Sequence, residues 1–279
     1  MNTYFNEITS KPINTVDGKI LYKIPAGAMA GNGDVGVVFD NNETDLIIHI
    51  SKCDFWKFTP SAHKDGGIKT VGNIVIKNID LSQYNIKQYF DEGLLKCKFG
   101  NTEIEFFVAP ENLIYFEIKT PVSSELPVVE IEMPDTCDSI NSEFTENSVN
   151  CHTRKFEGDE LERDSAVSTS LKTISSTETD CFKVSRYCIS VVTNFDDDDY
   201  TQKSIEMVSN CDYDSDKSKT REKWQKFFAN SKIILEDKEI EGFYNSSIYH
   251  LAGCMGNKGF PPGLFGNFIT DDFFPWAGD

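Results

Sequence analysis

Residues Leu94–Ile118 read LLKCKFGNTEIEFFVAPENLIYFEI, and this stretch decides the fold class. It contains three short runs rich in apolar and β-branched residues: Leu94–Phe99, Glu103–Val108 and Leu113–Ile118. Gly100-Asn101 is a turn signal between the first two runs. The middle run begins by alternating polar and apolar residues, which is typical of an antiparallel strand with one face in water. The stretch therefore predicts consecutive antiparallel strands.

The same pattern extends over most of the first 195 residues. Further predicted strands are Val35–Phe39, Leu46–Ile50, Lys69–Ile79, Val129–Glu132, Ala166–Ser176 and Cys181–Thr193. Turn signals recur about every 8–12 residues, and such spacing indicates a β-sandwich or a β-barrel. Asp135–Asp164 is polar and weakly patterned, so we expect a long loop there.

Near residue 200 the period of the apolar residues becomes helical. Trp224, Phe227 and Phe228 lie at positions i, i+3 and i+4 of a helix that we expect to begin near Asp216. A second helix is predicted to begin after Asp237, a suitable N-cap residue. Its apolar stripe has a sustained helical period and comprises Ile240, Phe243, Tyr244, Ser247, Ile248, Leu251, Ala252 and Met255.

Composition and charge narrow the class of partner. The 279 residues include 27 basic and 45 acidic side chains, which gives a net charge of −18. Such a chain repels phosphate backbones and anionic lipids, so we expect neither nucleic-acid nor membrane binding. The N-terminus shows no secretory signal, which predicts a cytoplasmic protein. The eight cysteines include no C-x-x-C pair, and we expect free thiols.

The segment Gly31-Asn32-Gly33-Asp34-Val35-Gly36 matches the G-x-G-x-x-G pattern of dinucleotide-binding proteins. That chemistry requires a helix to open at the last glycine, so that its amides meet the pyrophosphate. Here a β-type run follows instead. The glycines therefore predict a tight turn with positive φ that leads into a strand, and we expect no cofactor.

Lys52, Asp54 and Trp56 lie close together near the end of a predicted strand. One interpretation is a salt bridge beside a packed tryptophan, and the other is a rim that stacks a sugar; packing is the favoured one. The four histidines have no metal-ligand spacing, so no metal site is predicted. The acidic run Asp196–Asp199 lacks the spacing of a calcium loop and predicts a solvated turn. His250 is expected at a surface or an interface.

Several stretches together resemble glycoside hydrolase family 95 and related proteins. Ile24–Gly36 is similar to a P-x-G-N-G-x-x-G segment of the family, although Ala28-Met29-Ala30 is an insertion, and Ile47–Trp56 is similar to a strand that ends in tryptophan. The remaining matches follow in family order: Trp224 with Phe227 and Phe228, Tyr249–Ala252, Pro261–Gly266, and Pro275–Asp279, which reads Pro-Trp-Ala-Gly-Asp.

This resemblance implies a mainly β fold: an antiparallel β-supersandwich (1–195), a helical linker (196–236) and the first helix of a truncated (α/α)₆ barrel (237–279). Enzymes of this family act on α-linked sugars, such as α-L-fucosides, by an inverting mechanism. Its catalytic groups lie beyond the last motif, so no catalytic residue of this chain can be assigned. The resemblance implies that carbohydrate lies near Trp276 and Asp279, with Asp271, Asp272 and Trp56 as weaker candidates, and that the chain packs against its own barrel.

Three interpretations remain open at this point. The chain is expected to be inactive by itself if it belongs to such a hydrolase, and it should then expose apolar surface around Phe243, Phe265 and Trp276. A non-catalytic β-sandwich that binds carbohydrate or protein should instead be monodisperse and bind a sugar measurably. A phosphorylase or lyase with a similar arrangement of domains is a third interpretation.

Overall fold

The protein is mainly β: its described residues form two large antiparallel sheets and three helices, an arrangement consistent with a β-sandwich. The structure is a computed structural model, and it describes residues 2–5, 11–14, 20–24, 27–58, 66–158, 163–256, 259–263 and 266–272. Among these residues, none of the helices is both long and apolar enough to cross a membrane.

The part of the chain that the structure describes contains sixteen strands. Those before residue 100 are β1 (Asn2–Phe5), β2 (Lys11–Asn14), β3 (Ile20–Ile24), β4 (Met29–Gly31), β5 (Val35–Asn41), β6 (Leu46–Lys57), β7 (Gly67–Lys77), β8 (Tyr84–Tyr89) and β9 (Leu94–Phe99). The later ones are β10 (Thr102–Val108), β11 (Leu113–Pro121), β12 (Val128–Glu132), β13 (Ile140–Glu146), β14 (Val149–Phe156), β15 (Ser165–Glu178) and β16 (Phe182–Thr193). Every predicted strand is present; most ends are shifted by a few residues, and β6 continues to Lys57 instead of ending at Ile50.

Two sheets enclose the main core. The larger has the strand order β1-β8-β9-β10-β11-β16-β15-β14-β13, and the smaller has the order β12-β7-β6-β5-β4; β2 and β3 pair separately. Phe39 of the smaller sheet meets Phe106 of the larger sheet with ring centroids 5.1 Å apart. Phe106 in turn stacks on Phe116, and Phe116 stacks on Tyr187. Aromatic side chains from both sheets thus fill the space between the layers.

The prediction of a loop over Asp135–Asp164 was wrong, because this region contains the hairpin of β13 and β14. Every residue of β13 is exposed, so the strand shows no alternation of polar and apolar side chains. Its backbone pairs with β14 from Ile140 opposite Lys155 to Glu146 opposite Val149. Edge strands of this kind depend on backbone hydrogen bonds and leave little signal in the sequence.

Within residues 163–256, three helices follow the sheets: α1 (Tyr200–Ser209), α2 (Tyr213–Ser231) and α3 (Lys238–Cys254). Asp199, Asp212 and Asp237 are the N-cap residues, and the side chain of each accepts a hydrogen bond from a backbone N–H of the first turn. The N-cap at Asp237 is confirmed. The helix expected near Asp216 begins three residues earlier, and α1 precedes it as a separate element.

Helices α1 and α2 cover part of the outer face of the large sheet. Ile205 and Val208 of α1 belong to a second core with Phe107 and Tyr115 of the sheet, and Tyr213 at the start of α2 completes it. Tyr213 packs edge-on against Phe107, with ring centroids 5.3 Å apart. These two helices are therefore an integral part of the packed structure. The next helix, α3, contacts β4 and β5 of the smaller sheet. The domain boundaries and the barrel stay predictions.

Candidate functional site

The glycine-rich loop before β5 is a packing surface for the end of α3. Gly33 has φ +99°, and a Cβ atom there would lie 2.8 Å from Cα of Gly256. A Cβ atom on Gly31 would lie 2.6 Å from the carbonyl oxygen of Gly253. The Gly33 N–H donates to the Gly253 carbonyl at 2.9 Å, and the Gly256 N–H donates to the Gly33 carbonyl at 2.6 Å. The predicted positive-φ turn is thus confirmed, and these glycines admit a neighbouring backbone.

Asn32 fixes the shape of this loop. Its side-chain oxygen accepts the N–H groups of Asp34 and Val35 at 2.9 and 2.8 Å, and its amide donates to the Ala109 carbonyl at 2.7 Å. Asn112 donates to the Asp34 carboxylate at 2.7 Å. The loop is therefore tied to the connection between β10 and β11 of the large sheet, which makes it a junction between the two layers.

Beside this loop lies a buried charge cluster centred on Lys52. The Lys52 ammonium is fully buried and lies 2.7 Å from Asp54, 2.9 Å from Asp34 and 3.1 Å from Asp196. Burial would lower the pKa of Lys52, but the three carboxylates outweigh it and raise the pKa above its usual value. Burial raises the pKa of Asp54 despite the adjacent ammonium. The predicted turn at the acidic run is present, and Asp196 binds this lysine.

The segment 266–272 lies against the smaller sheet and ends in a second buried ion pair. The Asp272 carboxylate receives hydrogen bonds from Arg154 at 2.5 and 3.1 Å, from both the N–H and the hydroxyl of Thr70, and from the Thr136 hydroxyl. Lys69 donates to the Asp272 carbonyl at 2.7 Å. Burial alone would raise the pKa of Asp272, but Arg154 and the hydroxyl donors hold it below its usual value.

Trp56 lies close to the same segment. Its indole N–H donates to the Cys53 carbonyl at 2.6 Å, and its half-buried ring packs against Ile68 and Ile269. The favoured packing interpretation therefore describes its contacts, while a sugar contact stays a prediction. Trp56 and Asp272 are therefore associated with the same segment, residues 266–272, because Trp56 packs against Ile269 and Asp272 is the last residue of that segment.

Of the other predicted site residues, Asp271 is half-buried next to Asp272. Trp276 and Asp279 lie outside the described residues, as does Phe265. Within the described ranges, no group of three histidine, cysteine or carboxylate side chains is arranged to hold a metal ion.

Sequence reasoning missed a groove between α2, α3 and the glycine-rich loop. It has a volume of about 780 Å³, and its walls include Trp224, Phe227, Leu251 and Met255. Lys223 lies at one side, where its ammonium donates to the Asn32 carbonyl and burial lowers its pKa. The periodic aromatic residues of α2 were a signal that something packs there, but the groove itself needs the relative placement of two helices.

The helix α3 is oriented with its less apolar side toward the protein. Its buried residues are Asn245, Tyr249, Gly253 and Cys254. Ile248 and Ala252 of the stripe identified from the sequence are half-buried against the Trp224 cluster. Four other members of the stripe face outward, with exposures of 56% for Ile240, 75% for Phe243, 60% for Leu251 and 59% for Met255. We call these four residues the α3 face. Soluble proteins seldom leave several large apolar side chains exposed together without an interaction to cover them.

His250 lies on the inner side of α3. Its ring is half-buried, with centroid distances of 6.3 Å to Phe90 and 6.0 Å to Phe268. Its Nε2 atom is buried without a hydrogen-bond partner, and burial lowers its pKa to about 4. The histidine is therefore a neutral interface residue, in agreement with the interface interpretation.

Neither a family model nor a curated protein matches the chain. Among solved structures, it is similar to a protein from the human microbiome that is titled, provisionally, a kojibiose phosphorylase, with 10% sequence identity and a TM-score of 0.49. The match covers 81% of this chain and 39% of that one, so this chain spans about two fifths of the length of the protein it resembles. It does not single out glycoside hydrolase family 95, and nothing about activity follows from a likeness at this level.

Proposed function

We propose that this chain is the sandwich part of a carbohydrate-active enzyme, and that a helical domain of the same polypeptide packs on the α3 face and carries the catalytic groups. The observation that carries this proposal is the outward orientation of that face. Phe243 is 75% exposed, whereas Tyr249, six residues further along the same helix, is 1% exposed. A helix at the periphery of a complete fold normally turns its polar side to water.

The proposed reaction is hydrolysis of an α-linked, fucoside-like glycosidic bond with inversion. An inverting enzyme needs a carboxylic acid that protonates the leaving oxygen and a carboxylate about 6.5–9.5 Å away that activates a water. We assign neither role to this chain, so it should be inactive by itself. The motif resemblance supports placing the sugar near Trp276 and Asp279, with Asp271, Asp272 and Trp56 further from it.

Asp272 would contribute to this site by position. Its carboxylate already binds Arg154, Thr70 and Thr136 inside the protein. These contacts leave it poorly suited to grip a sugar directly, but they fix the chain four residues before Trp276. The sandwich would then serve as the rigid support from which the sugar-binding loop extends.

The test begins with the coding DNA beyond the codon for Asp279. If the frame continues into a helical region, both the 279-residue chain and the longer product should be assayed on aryl α-L-fucosides and other aryl α-glycosides. We expect hydrolysis with inversion by the longer product alone. Hydrogen exchange on the C-terminal half of α3 should also be slower in the longer product.

A stop codon directly after Asp279 would overturn the proposal. A monodisperse 279-residue protein that binds a sugar would then support the non-catalytic binding module. A longer product that leaves the α3 face as exposed to solvent as before would refute the docking of a helical domain even if the enzyme were active.

A further inference from the structure

Two cysteines meet beneath the connection between α1 and α2. Cys188 lies on β16, directly opposite Tyr115 of β11 and Lys172 of β15, so the three residues form one row across the large sheet. Cys211 lies in the connection above this row and packs into the same core. Both residues are free thiols in the structure.

The two thiols differ in burial and in pKa. Cys188 is fully buried, and burial is the main reason why its pKa is raised well above the usual value. Cys211 is half-buried, and the hydrogen bond from Cys188 lowers its pKa to about 7, with help from the Lys172 ammonium and against the effect of burial. Lys172 is held at this point because its Nζ atom donates to the Ser209 carbonyl at 3.2 Å. Cys211 is therefore the more reactive sulfur.

Four of the other cysteines lack this combination. Cys97 is buried, and burial raises its pKa. Cys53 and Cys254 lie near each other, with Sγ of Cys53 3.5 Å from the Cys254 carbonyl, but both are buried and have raised pKa values. Cys181 is exposed at the turn between β15 and β16, away from the pair.

We propose that Cys188 and Cys211 are a redox-active dithiol, with Cys211 as the sulfur that meets the oxidant and Cys188 as the sulfur that closes the disulfide. This modification site is independent of the proposed carbohydrate function. It rests on the packing of both side chains in one core cluster, on their unequal burial and on the Lys172 ammonium, which lies between Cys188 and the connection that carries Cys211.

The oxidant is a hydroperoxide, and the reaction runs in two steps. The Cys211 thiolate attacks one oxygen, an S–O bond forms as the O–O bond breaks, and the departing oxygen takes up a proton as water or an alcohol. The Cys188 sulfur then attacks the Cys211 sulfenic acid; an S–S bond forms, and the hydroxyl group leaves with the Cys188 proton as water. Two electrons pass from the pair of thiols to the peroxide.

The disulfide would tie β16 to the connection between α1 and α2. It would close a loop over α1 and the acidic turn before it, and so fix both helices to the large sheet. Cys211 lies outside regular secondary structure, one residue before the N-cap Asp212, where the backbone can adjust to the geometry that a disulfide requires.

The test is to treat the full chain with one to a few equivalents of hydrogen peroxide, block the remaining thiols with N-ethylmaleimide, and map the peptides by mass spectrometry. We expect a linked pair of peptides joined at Cys188 and Cys211, with the Cys211 thiol lost at least tenfold faster than the Cys181 thiol. The matched variants are Cys211→Ser, which should abolish the linked product, and Cys181→Ser, which should leave it unchanged.

Loss of the Cys211 thiol no faster than that of Cys181 would overturn the proposal. So would trapping of a Cys211 sulfenic acid by dimedone while Cys188 stays reduced in the unmodified chain. In Cys188→Ala, the same dimedone adduct is expected to accumulate because the resolving sulfur is missing. If that buried substitution prevents folding, the peptide map of the unmodified chain and the Cys211→Ser variant decide the question.

Discussion

The orientation of α3 can be tested by two alanine substitutions on one helix. Tyr249 is 1% exposed and lies between Trp224 and Phe90, with ring centroid distances of 4.3 and 5.1 Å. Truncating a buried aromatic side chain to alanine removes its transfer free energy and leaves a cavity, which costs about 3–5 kcal/mol. We therefore expect Tyr249→Ala to lower the free energy of unfolding by about that amount.

Phe243→Ala is the matched control, since it removes an aromatic ring of similar size from the same helix. Phe243 is 75% exposed, so little burial is lost, and alanine has the higher helix propensity. The expected change is within about 0.5 kcal/mol. The assay is urea unfolding followed by far-UV circular dichroism, which does not depend on the tryptophan ring that contacts Tyr249. A cost above about 2 kcal/mol for Phe243→Ala, with a smaller one for Tyr249→Ala, would refute this orientation of α3.

Further predictions concern glycines, the ion pair and pH. Gly93→Ala should lower the free energy of unfolding by at least about 2 kcal/mol in thermal unfolding, because φ is +64° and the added Cβ atom would clash with the Trp224 ring. Gly242→Ala, on α3 with open space around it, should raise the free energy of unfolding by up to about 1 kcal/mol. Asp272→Asn should cost about 3 kcal/mol in urea unfolding, because it leaves a buried guanidinium unpaired; a loss below 1 kcal/mol would contradict this. The pKa of His250 is about 4 when folded and near 6.5 when unfolded, so stability should be complete above pH 6.5 and fall toward pH 4 by at most about 3 kcal/mol. His250→Phe should remove that part of the pH dependence, and an unchanged slope would argue against a ring that is neutral in the folded protein.

Local sequence patterns predicted most of the described strands and the start of α3, whereas α1 was missed and α2 begins three residues earlier than expected. The alternation in β10 appears in the structure as alternate exposure and burial at its start, because successive side chains of a strand point to opposite faces. The turn at Gly33 was equally predictable, since its φ of +99° suits a residue without a Cβ atom. The hairpin of β13 and β14 was not predicted, because the edge strand β13 is exposed on both faces and therefore shows no alternation of polar and apolar residues.

The candidate site was only partly predictable. The sequence singled out Trp56 and Asp272 as site candidates, but it could not show that Asp272 binds Arg154, a partner 118 residues away. The same holds for Lys52 and Asp196, which are 144 residues apart. Pairs of this kind depend on how the sheets fold over one another, and no spacing rule within a single strand or helix contains that information.

The sequence by itself determined that the chain is a β protein followed by helices, because strand and helix periods are local properties of neighbouring residues. It also determined that α3 has an apolar stripe. Only the tertiary structure decided that the α3 face of this stripe points outward and that Tyr249, Gly253 and the glycine-rich loop form the inner contact. The physical reason is that the backbones of the glycine-rich loop and of the end of α3 come so close at Gly31, Gly33 and Gly256 that only residues without a Cβ atom fit there. The apolar period shows only that one side of a helix is apolar, and it does not show which neighbour the helix contacts.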